Sequence, residues 1–180
     1  MNLELIDALI VTALTYLLFA LLGSLPFLPI MPPINGFFEA ISGFTTTGLT
    51  MAEEATLPLS LHFFRAYSQW LGGMGIIIVS LAILLRPGKA AFRLYETEFG
   101  EENIIGSVVA TAKMIIWLYL ILTVVGFVAY LIAGMGPFDG LIHILTTIPT
   151  GGFSRFSESI GHYHSDLISL PSHFSWCLVL

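Results

Sequence analysis

A chain of 180 residues with 56% hydrophobic and only 10% charged residues falls well short of the roughly one-quarter charged share of a water-soluble domain. Its formal net charge of −6 is spread thinly and includes no basic patch of the kind that binds nucleic acid. A single cysteine, Cys177, excludes an internal disulfide and a cysteine-built metal site. With a mean hydropathy of +0.91, the chain reads as an integral membrane protein; an unusually apolar soluble helical protein is the competing reading.

The first element is the apolar run Leu5–Leu25, which supplies the ~20 residues a helix needs to cross hydrocarbon. It lacks the basic start of a signal peptide, since the early charges are Glu4 and Asp7, and it is longer than a usual signal core. We therefore read it as a retained membrane helix rather than a leader cleaved near Gly23-Ser24. Pro26, Pro29, Pro32 and Pro33 end it, because proline has no N–H to donate and clashes with the preceding turn. Residues 35–43 then predict a short helix with Asn35 as its N-cap. The stretch Phe44-Thr45-Thr46-Thr47-Gly48-Leu49-Thr50 follows it, dominated by threonine and glycine.

The second long run is Phe63–Leu85. Inside it, Trp70-Leu71-Gly72-Gly73-Met74-Gly75 predicts close helix packing, the common use of small residues in membranes; a hinge or pore-lining role is the alternative. Arg86, Lys89, Arg93 and Lys113 come next, against Arg65 and Arg155 elsewhere. The positive-inside tendency places that connecting segment in the cytoplasm and opens both Thr/Gly loops from the outer face. The third long run, Ile104–Ala133, ends at Gly134-Met135-Gly136-Pro137. A second short helix over Phe138–Thr147, with Pro137 at an early position, leads into Ile148-Pro149-Thr150-Gly151-Gly152-Phe153-Ser154. A last run, Leu167–Leu180, is too short to span and contains Pro171.

Sliding the chain by 104 residues places Asn35 on Asp139, Gly36 on Gly140, Ser42 on Thr146, Thr46 on Thr150, Gly48 on Gly152 and Thr50 on Ser154, without a gap. Identities are few, but the order of elements repeats: long helix, breaker, short helix, Thr/Gly loop. The expected fold is an all-α membrane protein of helix–pore loop–helix repeats with short re-entrant pore helices. A complete repeat fills residues 1–85, a cytoplasmic connector fills 86–103, and a second repeat, truncated in its last helix, fills 104–180.

Such loops suit a cation. An ion entering a membrane loses its hydration shell, and converging backbone carbonyls can replace the lost oxygens. This needs irregular backbone at membrane depth, tolerated only where protein buries it or it lines a watery cavity. Glycine reaches the positive φ that turns carbonyls inward. A short helix ending at the loop aims its partially negative C-terminus at the ion. A single Thr-Thr-Thr-Gly stretch also reads as a helix C-cap with a threonine tail; two loops in matching positions favour the ion.

These residues carry a family resemblance. Phe38-Glu39-Ala40-Ile41-Ser42-Gly43-Phe44-Thr45-Thr46-Thr47-Gly48 resembles the first pore loop of the TrkH/KtrB/HKT superfamily of potassium uptake proteins, in its TrkH-like branch. Arg65-Ala66-Tyr67-Ser68-Gln69-Trp70-Leu71-Gly72-Gly73-Met74-Gly75-Ile76 resembles the start of the following helix. Thr150-Gly151-Gly152-Phe153-Ser154 with Ser159-Ile160-Gly161 resembles the second pore loop and its exit, and the likeness runs to about residue 165, fading beyond His162. The resemblance implies transport of potassium, sometimes sodium, through a filter of pore-loop carbonyls in the plasma membrane. It implies a homodimer, a cytoplasmic nucleotide-binding regulatory subunit and no cofactor beyond K+ as the transported ion. The implied filter residues are Thr45, Thr46, Thr47 and Gly48 in the first loop, and Pro149, Thr150, Gly151 and Gly152 in the second. Four repeats surround the pore in that family, so the chain is expected to be a partial member that does not conduct alone.

Among the remaining polar residues, Arg65 reads either as an anchor near the outer surface or as a contact holding the filter loop. His143 occupies the register position of Glu39, and both are expected to pack or hydrogen-bond around their loops. His162, His164 and Asp166 form at best a weak zinc set. There is no His-Glu-x-x-His run and no Gly-x-Ser-x-Gly elbow, so an enzyme is not expected. Two other readings compete: a secondary transporter with broken helices, and a non-conducting membrane fragment that packs against a partner.

Overall fold

The structure, a computed structural model, describes residues 3–84 and 104–156. The connector 86–103, the exit Ser159-Ile160-Gly161, the His162/His164/Asp166 set and the run Leu167–Leu180 lie outside the described residues. Everything regular among the described residues is helical: α1 Leu3–Ser24, α2 Pro33–Phe44, α3 Leu59–Leu84, α4 Ile104–Ile132 and α5 Pro137–Thr147, with single 3-10 turns at Leu25–Phe27 and Glu54–Thr56. The all-α expectation is met, and the three apolar runs are α1, α3 and α4.

Two helix starts differ from the sequence reading. Asn35 is not the N-cap of α2. The helix begins at Pro33, Pro32 takes the capping position, and the Asn35 amide already donates to Pro32 O at 2.9 Å. A proline at the first helical position lacks only an N–H that would have no partner there, and its φ is preset for the helix. α3 starts at Leu59, four residues ahead of the apolar run, because the Leu61 and His62 amides find Pro58 O. At the other end of the chain, α5 does begin at Pro137. α4 stops at Gly134, whose φ of +90 lets the Met135 amide fold back onto Tyr130 O and the Gly134 amide onto Leu131 O.

At ~1.5 Å per residue, the 12-residue α2 and 11-residue α5 are about 16–18 Å long, roughly half of a hydrocarbon core. Segments Leu9–Phe27 (mean hydropathy 2.0) and Ala110–Ile132 (2.5) are long and apolar enough to cross a membrane. α3 is long enough but carries His62, Arg65, Ser68 and Gln69, all buried. Its polar face is spent inside the protein. By contrast, Leu14, Leu18 and Leu22 on α1, and Trp117, Ile121, Val124 and Val128 on α4, are exposed, apolar stripes of the kind that meet lipid or other helices.

α3 is the centre of the arrangement. Both short helices, α2 and α5, pack on it, while α1 backs α2, and α4 backs α5 and also touches α3. The Phe19 and Phe44 rings meet at 5.5 Å, tying α1 to the end of α2. The main core joins α3, α4 and α5 through Ala66, Tyr130, Ala133, Met135, Ile142, Ile144 and Leu145. A second, Phe27, Leu57 and Leu61, includes Phe64 of α3 and lies against the first turn of α2 at Gly36. The glycine run of α3 makes the close approach possible. A side chain on Gly72 would run into Phe44 O at the end of α2, and one on Gly73 would press on Pro149 just past α5. Close packing, the preferred reading of this run, is what the geometry uses.

Candidate ion site

Both short helices end in the same way. The Thr46 amide donates to Gly43 O and the Thr47 amide to Ser42 O, each at 3.0 Å. Shifted by 104 residues, the Thr150 amide donates to Thr147 O at 2.9 Å and the Gly151 amide to Thr146 O at 2.8 Å. This paired closure requires a left-handed residue, usually glycine. Here it is threonine twice: Thr46 at φ +56 and Thr150 at φ +57. A β-branched residue held there costs about 1–3 kcal/mol and persists only where its surroundings enforce it. Two residues on, Gly48 (φ +77) and Gly152 (φ +83) match in turn. The register read from the sequence is therefore also a register of backbone conformation.

The eight expected filter residues fall at these two helix ends. Thr45, Thr47, Thr150 and Gly152 are exposed, Thr46 and Gly48 half-buried, Pro149 and Gly151 buried. Thr45 Oγ1 donates to Ile41 O at 2.7 Å and lies 2.8 Å from Thr47 Oγ1. Thr45 and Thr46 also line a cavity of about 240 Å³ with Thr12, Tyr16, Phe44, Gly72 and Ile76. The loops touch: the Gly151 carbonyl occupies the space a side chain on Gly48 would take.

A buried ionic cluster fixes the first loop from behind. Glu39 on α2 and Arg65 on α3 pair at 3.0 Å (Nε to Oε2), with side chains 0% and 1% exposed. The other Glu39 oxygen accepts from Thr50 Oγ1 at 2.7 Å, from the Met51 amide and from the Ala52 amide at 3.1 Å. Ser42 Oγ adds a bond to Leu49 O at 2.7 Å. The guanidinium of Arg65 lies over the Phe153 ring, 4.1 Å from its centre, so one cation touches the exits of both loops. Of the two readings of Arg65, the loop-holding contact is the one the geometry supports. Glu39 bonds around its loop as expected. His143, its counterpart, is buried beside Tyr130. The second loop's surface pair is different, Arg155 to Asp139 at 2.8 Å and partly exposed.

Gln69 was not singled out by the sequence reading. It is fully buried on α3; its Nε2 donates to Gly151 O at 2.9 Å and its Oε1 accepts from the Phe153 amide at 3.2 Å. The available signal was its place one helical turn after Arg65, a polar side chain in a membrane helix on the same face.

Comparison with known proteins bears on the family. Residues 7–178 match the family described as TrkH, cation transport protein; the match extends past residue 165, where the sequence likeness was expected to fade. The chain is 37% identical over 173 residues to the Trk system potassium uptake protein TrkH of Halomonas elongata, covering 91% of this chain and 36% of that protein. It is 34% identical over 157 residues to an uncharacterized cation transporter of Methanocaldococcus jannaschii, covering 85% and 33%. The crystal structure of the potassium transporter TrkH from Vibrio parahaemolyticus superposes with a TM-score of 0.78 at 36% identity, covering 94% of this chain and 35% of that one. The chain thus spans about a third of the length of these relatives. It belongs to the TrkH family of cation transport proteins, a family of membrane transporters rather than of enzymes.

Proposed function

We propose that this chain supplies two neighbouring pore loops of a potassium-conducting path in a Trk-type uptake protein of the plasma membrane. The observation that carries the reading is the matched backbone of the loops, with left-handed threonine at 46 and 150 and glycine at 48 and 152, each directly after a short helix. On this reading the carbonyls of Thr45, Thr46, Thr47, Pro149 and Thr150 replace water around the ion. Gly48 and Gly152 permit the turn. Gly151, buried and bonded to Gln69, anchors the second loop. The negative ends of α2 and α5 add a favourable field for a cation.

A broken-helix transporter of anionic solutes would aim helix N-termini at its site. Here the N-termini carry Pro33 and Pro137, and the loops leave from the C-termini, which supports the cation. Potassium as the ion, outward-facing loops, residues 86–103 in the cytoplasm, a homodimer and a cytoplasmic nucleotide-binding regulatory subunit complete the proposal.

The test places residues 7–178 into the matching stretch of the Vibrio parahaemolyticus transporter and asks for growth of a potassium-uptake-deficient strain at low potassium. Growth is the expected result. A chimaera that inserts in the membrane yet takes up no rubidium overturns the reading. The 180-residue chain alone in liposomes is expected to give no flux, because two loops leave part of the ion's shell unreplaced; robust flux would mean that copies assemble into a complete filter.

A further inference from the structure

We propose that Gln69 is a positioning residue: it ties the second pore loop to the helix of the first repeat and so sets the spacing between the two loops on which discrimination between potassium and sodium depends. This rests on the filter reading above.

Gln69 spends both ends of its amide on one loop. Its N–H reaches Gly151 O and its carbonyl receives the Phe153 N–H, so the side chain straddles Gly152 at φ +83. A side-chain amide is the group that offers a donor and an acceptor at this separation, and the two backbone partners leave a single orientation for it. The residue is 0% exposed; in such surroundings an unmade bond is expensive, which keeps both formed.

The link continues into the first loop. The Gly151 carbonyl that Gln69 holds fills the space above Gly48, and Gln69 Nε2 itself stands 3.7 Å from where a Gly48 side chain would begin. Meanwhile α3 is pressed against Phe44 O through Gly72. One turn before Gln69, Arg65 holds Glu39 and covers the Phe153 ring. Both loops are therefore referenced to the same rigid helix, the first through Glu39 and Phe44 and the second through Gln69. Carbonyl spacing is what a filter of this kind can use to distinguish two monovalent ions.

The experiment uses the chimaera described above in proteoliposomes and measures rubidium uptake with and without competing sodium. The variants are Gln69→Leu, which removes both bonds at similar volume, and Gln69→Asn, which keeps the amide but is one methylene too short to bridge both partners. Gly48→Ala reports separately on the filter. We expect Gln69→Leu to lower the preference for rubidium over sodium several-fold, with Gln69→Asn changing in the same direction. If Gly48→Ala alters the preference and both Gln69 variants match the parent, the proposal is wrong and the filter reading stands. If Gly48→Ala and the Gln69 variants all leave the preference unchanged, the filter reading itself fails. Should Gln69→Leu not insert, Gln69→Asn decides. A chimaera that inserts but is silent overturns the filter reading and this proposal with it. Amide exchange on the 180-residue chain in nanodiscs checks the tie itself: Phe153 exchanges faster in Gln69→Asn while Thr47 does not, and equal protection of Phe153 overturns the assignment.

Discussion

The carbonyl of Gly151 sits where a side chain on Gly48 would have to go. Two residues far apart in the chain thus limit each other's chemistry, and the limit is doubled by the φ of +77 at Gly48.

Gly48→Ala in a complete transporter should therefore disturb both loops. The left-handed backbone alone costs an L-residue about 1–2 kcal/mol, and displacement of Gly151 adds to it. We expect reduced rubidium uptake and weaker selectivity against sodium. Uptake and ion competition curves identical to the parent's would remove Gly48 from the filter.

The Glu39–Arg65 pair should be far more costly to halve than to delete. Removing one partner of a fully buried pair costs about 3–5 kcal/mol, so Arg65→Met should sharply lower the melting temperature of the detergent-solubilised chain. The double variant Glu39→Met/Arg65→Met should recover part of the loss. Recovery stays incomplete because Glu39 also receives Thr50, Met51 and Ala52. A double variant less stable than either single one would contradict this account.

Threonine at the left-handed position is expected to be there for the ion rather than for stability. Thr46→Gly relieves backbone strain and should raise stability, or leave it unchanged, by up to about 1 kcal/mol. In a complete transporter it should lower selectivity, since a glycine there holds the carbonyls less firmly. Thr150→Gly should behave alike, because its φ of +57 matches the +56 of Thr46. Loss of stability in both variants would show that the hydroxyls, not the backbone, dominate.

Gly72 and Gly75 separate packing from hinge motion. Gly72→Ala drives a methyl group into Phe44 O, whereas at Gly75 the nearest atom to an added Cβ is Tyr16 Oη at 3.4 Å. Gly72→Ala should reduce the yield of folded protein in a fluorescence-detected chromatography assay, and Gly75→Ala should be tolerated. Equal damage from both would favour flexibility as the purpose of the run.

Much of this molecule is legible in its sequence because the rules involved are short-range. Apolar run length gives α1, α3 and α4; prolines and glycines mark their ends; the repeated order of elements aligns Thr46 with Thr150 and Gly48 with Gly152. α2 starts at Pro33 rather than after Asn35 because proline suits the first helical position, and α3 starts at Leu59 because Pro58 O accepts from Leu61 and His62, a backbone bond that hydropathy does not register. Only the tertiary structure decided which polar groups on α3 meet which loop. Arg65 to Glu39 and Gln69 to Gly151 are bonds across 26 and 82 residues. They exist because glycines bring α3 close to the ends of two short helices; the glycine run announces close packing, but which helix ends it meets depends on contacts between residues far apart in the chain.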